Sequence, residues 1–77
     1  MTANRIRELL HAVPFRPFKI HLPGGEKIRV PHPDIMSIAP SGRFAVVIGP
    51  KDETHTVDVF RITALEEEPS RAGKAGK

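Results

Sequence analysis

The chain has 77 residues and no cysteine, with 12 Lys and Arg side chains against nine Asp and Glu. This length allows one small hydrophobic core without disulfide bonds or thiolate metal sites, so self-association into a homo-oligomer is expected to add stability. The formal charge of +3 is too small by itself to require a nucleic-acid partner. The chain lacks both a run of ~20 apolar residues and a signal-peptide pattern, so we expect a cytoplasmic protein with no membrane partner.

An amphipathic helix is predicted near the N-terminus. Ile6, Leu9, Leu10 and Val13 follow the i, i+3, i+4, i+7 spacing that places side chains on one helix face. Pro14 ends the helix because the residue before a proline is disfavoured in the α region. Two residues can supply the N-cap oxygen, Thr2 or Asn4.

A β-hairpin is predicted next, from residues 18–22 and 26–30, where apolar and polar side chains alternate. A three-residue loop pairs Ile20 with Ile28, whereas a two-residue loop would pair Ile20 with Arg29. The three-residue loop is preferred because it collects the apolar side chains on one face. We expect a type I turn followed by Gly25 in the left-handed region.

Three further strands are predicted, at residues 35–39, 44–48 and 56–63. Pro31 and Pro33 separate them from the hairpin, since two such close prolines do not fit a central strand. Residues 46–48 are all apolar, which predicts a strand that is buried on both faces or covered by a partner. In the last strand the apolar parity shifts between Val59 and Phe60, which indicates a bulge or a change of sheet.

Together these elements predict a mainly β domain with one N-terminal helix, spanning residues 1–65. One helix and five short strands joined by tight turns are typical of a small SH3-like or Sm-like five-stranded antiparallel barrel. Residues 66–77 contain no large apolar side chain, so they are predicted to be a disordered polar tail.

The order of these elements resembles the Sm-like family, including its bacterial Hfq-type members. That resemblance implies RNA binding and ring assembly. The Lys-His pair that Hfq-like proteins carry before the last Ile-Ser/Thr element is missing, since Val59, Phe60 and Arg61 precede Ile62-Thr63 here. The chain also resembles a group of short uncharacterised bacterial proteins with Pro-Phe-x-Pro-Phe and Val-Pro-His-Pro segments, here residues 14–18 and 30–33.

Basic side chains are predicted to gather on the outer face of the hairpin. The register pairs Lys19 with Arg29 and His21 with Lys27, and like charges placed opposite one another destabilise a sheet. These four residues, called the basic face below, therefore indicate an anionic partner such as the backbone of RNA or DNA. Three arginines are expected at its rim: Arg5, Arg7 and Arg16. The alternative interpretation is a solvated face whose long side chains splay apart.

Few aromatic side chains are available for stacking on nucleobases, since the chain has four Phe and neither Tyr nor Trp. Phe18 and Phe44 are expected in the core, which leaves Phe15 and Phe60. The leading hypothesis is nevertheless a self-associated barrel that binds RNA or DNA nonspecifically through the basic face.

The alternative hypothesis is a protein-interaction or self-assembly module. In this case an open β edge, or the sheet face that holds Ala45 and Val47, would bind a partner strand or a second copy. Salt would distinguish the two, because apolar association survives about 0.5 M salt and phosphate contacts largely do not.

Neither catalysis nor a cofactor is predicted. Ser37 and Ser41 lack a Gly-x-Ser-x-Gly elbow, and no carboxylate pair suited to acid–base chemistry is evident. His32 lies beside Asp34, but no element has the His-x₃₋₅-His spacing of a zinc site. We therefore expect a non-enzymatic protein without a metal.

Overall fold

A computed structural model describes residues 1–69 and shows a mainly β domain with one N-terminal helix, as predicted. In chain order its elements are α1 (Ala3–Leu10), β1 (Phe18–His21), β2 (Lys27–Val30), β3 (Met36–Ile38), β4 (Phe44–Ile48), β5 (Thr54–Asp58) and β6 (Ala64–Glu67). The strands form two antiparallel sheets, β2-β1-β6 (the first sheet) and β3-β4-β5 (the second sheet). The prediction of a closed five-stranded barrel is therefore wrong, since the described residues form six strands in two sheets.

Two short 3-10 helices lie in the two connections between the sheets. Pro33–Ile35 lies between β2 and β3, where proline removes a ladder donor. Val59–Arg61 lies between β5 and β6, and the Asp58 carboxylate accepts a hydrogen bond from the Phe60 amide at 3.0 Å. The predicted shift in apolar parity at residues 59–60 is thus a change of sheet, one of the two alternatives considered.

The hairpin register is confirmed. Ile20 lies opposite Ile28, and Phe18 opposite Val30. The turn differs from the expected type I, because Gly24 already has a φ of +90° and follows Pro23. Proline at the second position and a positive φ at the third define a type II turn, which the hydrogen bond from Gly25 N–H to the Leu22 carbonyl closes at 3.3 Å.

Helix α1 is shorter than predicted. It ends at Leu10, with the His11 N–H donating to the Arg7 carbonyl at 2.9 Å, and Val13 lies outside it with 95% of its surface exposed. Thr2 occupies the N-cap position without a side-chain capping bond. The apolar side of α1 is formed by Ile6 and Leu9, which are buried against the sheets.

The core lies between the inner faces of the two sheets and α1. Its buried members are Ile6, Leu9, Phe18, Ile20, Val30, Met36, Ala45, Val47, Val57, Val59 and Ile62. Strand β4 is buried on one face, because Ala45 and Val47 are inaccessible while Phe44 and Ile48 are 45% and 36% exposed. Of the two alternatives for β4, burial on both faces within the chain is therefore wrong, whereas covering by a partner stays a prediction; the placement of Phe44 in the core is also wrong.

Strand β6 runs two residues past the boundary that the sequence indicates at Leu65. Glu66 and Glu67 pair with β1, and the Glu68 N–H donates to the Pro17 carbonyl at 2.9 Å. The rest of the predicted tail, residues 70–77, lies outside the described residues. No helix in residues 1–69 has the length and apolar character needed to cross a membrane.

Candidate functional site

The basic face forms as the sequence predicts. Lys19 lies opposite Arg29 and His21 lies opposite Lys27, with β1 in the centre of the first sheet and β2 at its edge. Alternate residues of a strand point to opposite faces, so these four side chains share the face away from buried Phe18 and Ile20. The structure thus brings the predicted site residues of the hairpin together.

Strand β6 adds carboxylates to this face. Glu66 lies opposite Lys19 on the side of β1 away from β2, and its Oε1 is 2.8 Å from the His21 Nε2. Glu68 binds Arg29 through two hydrogen bonds, from Nε to Oε2 at 2.6 Å and from Nη2 to Oε1 at 3.0 Å. The like-charge pairs of the hairpin are therefore flanked by acidic side chains that the sequence places in the tail.

Two of the three predicted rim arginines contact Glu67 of β6, and the third does not. Arg5 Nη2 and Arg16 Nη1 each lie 3.4 Å from a Glu67 carboxylate oxygen. Arg16 also donates two hydrogen bonds to the Glu68 carbonyl, at 3.0 and 3.2 Å. Arg7 is not part of this group and donates instead to the Asn4 Oδ1 at 3.2 Å.

Two carboxylates beside the basic face, those of Glu66 and Glu68, have lowered pKa values. The hydrogen bond from His21 lowers the pKa of Glu66, and those from Arg29 lower the pKa of Glu68. Reciprocally, Glu68 raises the pKa of the Arg29 guanidinium. An anionic ligand at this face would have to compete with resident carboxylates for the same cations.

The charge of the described part is balanced. Residues 70–77 hold three of the 12 basic side chains and none of the nine acidic ones, so residues 1–69 carry nine of each. The chain's formal excess of +3 therefore comes from residues 70–77. Phosphate binding depends on the local Lys and Arg side chains that contact the phosphates and release counterions.

The outer face of the second sheet has a different character. Three side chains of the central strand β4 lie on this face: Phe44, Val46 and Ile48. These three residues are called the apolar face below. Their cross-strand neighbours on the same side are Ser37 of β3 and Thr54, Thr56 and Asp58 of β5. Among these seven side chains only Asp58 carries a charge, and the sequence hypothesis chose the wrong side of β4, since Ala45 and Val47 are in the core.

An aromatic cluster lies at the Phe44 end of the apolar face. The Arg43 guanidinium carbon is 5.5 Å from the centroid of the Phe44 ring and 5.0 Å from that of Phe60, which is 63% exposed. Arg43 also contacts the Asp58 carboxylate at 3.4 Å and lowers its pKa. Aromatic residues and arginine are enriched in the cores of protein–protein interfaces.

A pocket of about 330 Å³ lies at the Ile48 end of the apolar face. It is lined by Arg29, Pro31, His32, Ile35, Ile48, Gly49 and Pro50. The Val-Pro-His-Pro segment that the sequence singles out thus forms one wall. Within residues 1–69, no three His, Asp or Glu side chains are grouped so that they could hold a metal ion.

Sequence reasoning missed Arg43 and Asp58, and it missed the exposure of Phe44 and Ile48. A continuous run of apolar residues in a short strand does not show which face is buried. All five residues of β4 are apolar, so no alternation of polar and apolar side chains marked the buried face. No protein-family model matches the chain, and no curated protein or solved structure is significantly similar to it.

Proposed function

We propose that this chain is a protein-interaction domain that catalyses no reaction and binds its partner through the apolar face. The single observation that supports this proposal is the contrast between the outer faces of the two sheets. The first bears Lys19, His21, Lys27, Arg29 and Glu66, all titratable. The second bears three exposed or half-exposed apolar side chains, bordered by three hydroxyls and one carboxylate, that of Asp58.

Exposed apolar surface that is contiguous costs free energy in water and favours association. Phe44 and Ile48 lie four residues apart on one strand, with Val46 between them, so the exposed surface is continuous and not scattered. The aromatic cluster at one end and the pocket at the other extend it further. A face with these features fits a protein partner better than a polyanion.

Binding of RNA or DNA through the basic face stays a prediction, with weaker support. The four basic residues are assembled, but His21 and Arg29 are engaged by Glu66 and Glu68. Self-association and a cytoplasmic location, both expected from the sequence, also stay predictions.

Site-specific photo-crosslinking tests the proposal. A benzophenone side chain is placed at position 46, on the apolar face, or at position 27, on the basic face, in the full chain expressed in its source organism. We expect a discrete protein adduct from position 46 only, which purified partner then reproduces. Ile48→Lys should abolish that adduct while the circular dichroism spectrum stays unchanged.

The opposite pattern would overturn the proposal. Adducts from position 27 with none from position 46 would identify the basic face as the functional one. A fluorescent single-stranded 20-mer RNA that binds at 50 mM salt and is released by Lys27→Glu would support the nucleic-acid hypothesis instead.

A further inference from the structure

We infer that Glu66 and Glu68 close the basic face to nucleic acid, because their carboxylates take the place that phosphate groups would occupy. This autoinhibitory contact lies on the first sheet and goes beyond the proposed function, which concerns the second sheet. It follows from where the two side chains lie, from the geometry of their bonds and from the charge that they leave on the basic face.

The side chains of Arg29 and Glu68 form a bridge across the whole first sheet. Glu68 directly follows β6 at one edge of the sheet, and its N–H donates to the carbonyl of Pro17, just before β1. Its carboxylate nevertheless binds Arg29 of β2, the strand at the opposite edge. Neighbouring strands lie about 4.8 Å apart, so the two side chains together span about 10 Å over the start of β1. A ligand that approaches this end of the basic face meets the bridge first.

Glu66 engages the other end of the basic face. Its backbone pairs with Lys19 of β1, and its Oε1 lies 2.8 Å from the Nε2 of His21. The hydrogen bond from His21 lowers the pKa of Glu66 most, and the charges of Lys19 and Lys27 lower it further. Together, the two carboxylates therefore act on all four residues of the basic face.

The bond between Arg29 and Glu68 has the geometry with which arginine binds phosphate. Nε and Nη2 of Arg29 donate in parallel to the two oxygens of one carboxylate, at 2.6 and 3.0 Å. Arginine binds carboxylates and phosphates through this same planar pair of donors. A phosphate group must therefore displace Glu68 to use this side of the guanidinium.

The two carboxylates also remove most of the positive charge of the basic face. Leaving His21 aside, the face carries three cations, and the two neighbouring carboxylates reduce this excess to one. For single-stranded nucleic acid, log K falls with log salt with a slope of about −0.7 per phosphate contact. Three free cations would therefore give a slope of about −2, against about −0.7 for one.

Glu67 provides a matched control on the same strand. It lies opposite buried Phe18, so its side chain is on the other side of the sheet from the basic face. There its carboxylate contacts Arg5 and Arg16. Glu67→Gln removes one negative charge, as Glu68→Gln does, but leaves both carboxylates of the basic face in place.

Binding of a fluorescent single-stranded 20-mer RNA to the full chain tests this inference. At about 50 mM salt, we expect the double variant Glu66→Gln/Glu68→Gln to bind about tenfold more tightly than the wild type, or better, and with the steeper salt dependence. Glu67→Gln should stay within about twofold of the wild type. Adding Lys27→Glu to the double variant should abolish the gain, because it restores a negative charge to the basic face.

Three results are incompatible with the inference. Equal affinity of the double variant and the wild type would mean that the carboxylates do not limit binding. Equal gains from Glu67→Gln and Glu68→Gln would attribute the effect to net charge alone. Tight binding by the wild type that Lys27→Glu removes would mean that the basic face is already open.

Two measurements keep the test decisive. Circular dichroism reports whether the double variant is folded, and if it is not, Glu68→Gln alone decides, with an expected gain of about threefold over Glu67→Gln. Crosslinking at position 46 decides the proposed function separately, because that position lies on the second sheet.

Discussion

The same conservative substitution, Val→Thr, made separately at positions 46 and 47 of β4 tests which face of the second sheet is covered. Val46 and Val47 have the same side chain on the same strand, but Val47 is fully buried and Val46 is half-buried on the apolar face. Threonine keeps the shape of valine and replaces a methyl group with a hydroxyl. The two variants therefore differ only in where that hydroxyl lies.

The magnitude follows from the composition of the core. No polar side chain is buried in residues 1–69, so a hydroxyl at position 47 finds no side-chain partner among them. Burying a polar group without a partner costs about 1–3 kcal/mol. Because a domain of this size loses about 4–8 °C of Tm for each kcal/mol, Val47→Thr should lower Tm by about 5–20 °C. At position 46 water reaches the hydroxyl, and the expected change is within about 0.5 kcal/mol.

Thermal and urea unfolding, followed by circular dichroism, measure both variants; the chain has no Trp or Tyr for fluorescence. Equal losses at the two positions would refute the reasoning, since they would mean that both faces of β4 are covered in solution. If the loss at Val46 also changes with protein concentration, a second copy covers the apolar face.

Two further predictions concern the first sheet. Ile20→Ala should lower the free energy of unfolding by about 2–5 kcal/mol, because the Ile20 side chain is fully buried on the central strand. Ile28→Ala, opposite it on the edge strand, should lower that free energy clearly less in the same urea titration. Equal losses would contradict the described packing. The pKa values of Glu66 and Glu68 are lowered in the folded protein, so the unfolded chain binds more protons. Their stabilising contribution is complete above the unfolded value of about 4.3 and is lost as pH falls through the folded values. In Glu68→Gln, the urea midpoint should fall less between pH 7 and pH 3 than it does in the wild type. An equal fall in both proteins would count against the ion pair between Arg29 and Glu68.

Local patterns were sufficient to predict the hairpin. Alternation in residues 18–30 and the length of the loop at residues 23–25 together predict that Ile20 lies opposite Ile28, because a one-residue shift would place apolar and charged side chains on one face. The existence of α1 follows from its apolar spacing in the same way. Its last turn could not be predicted, since Val13 fits the spacing but lies outside the helix.

Long-range pairing decided the character of both candidate sites. Sequence composition places Glu66 and Glu68 in a polar tail, yet β6 pairs with β1, and this brings their carboxylates to His21 and Arg29. Such contacts span about 40 to 45 positions of the chain, and no local pattern encodes them.

The sequence by itself determined the helix, the hairpin register and the collection of basic residues on one face, because each depends on neighbours within about a dozen positions. Only the tertiary structure decided that the basic face carries its own carboxylates and that Phe44, Val46 and Ile48 remain accessible. The physical reason is that both results depend on which sheet a strand joins. In a strand of five apolar residues, burial is similarly favourable for either face. The packing of the whole chain decides which of them is buried.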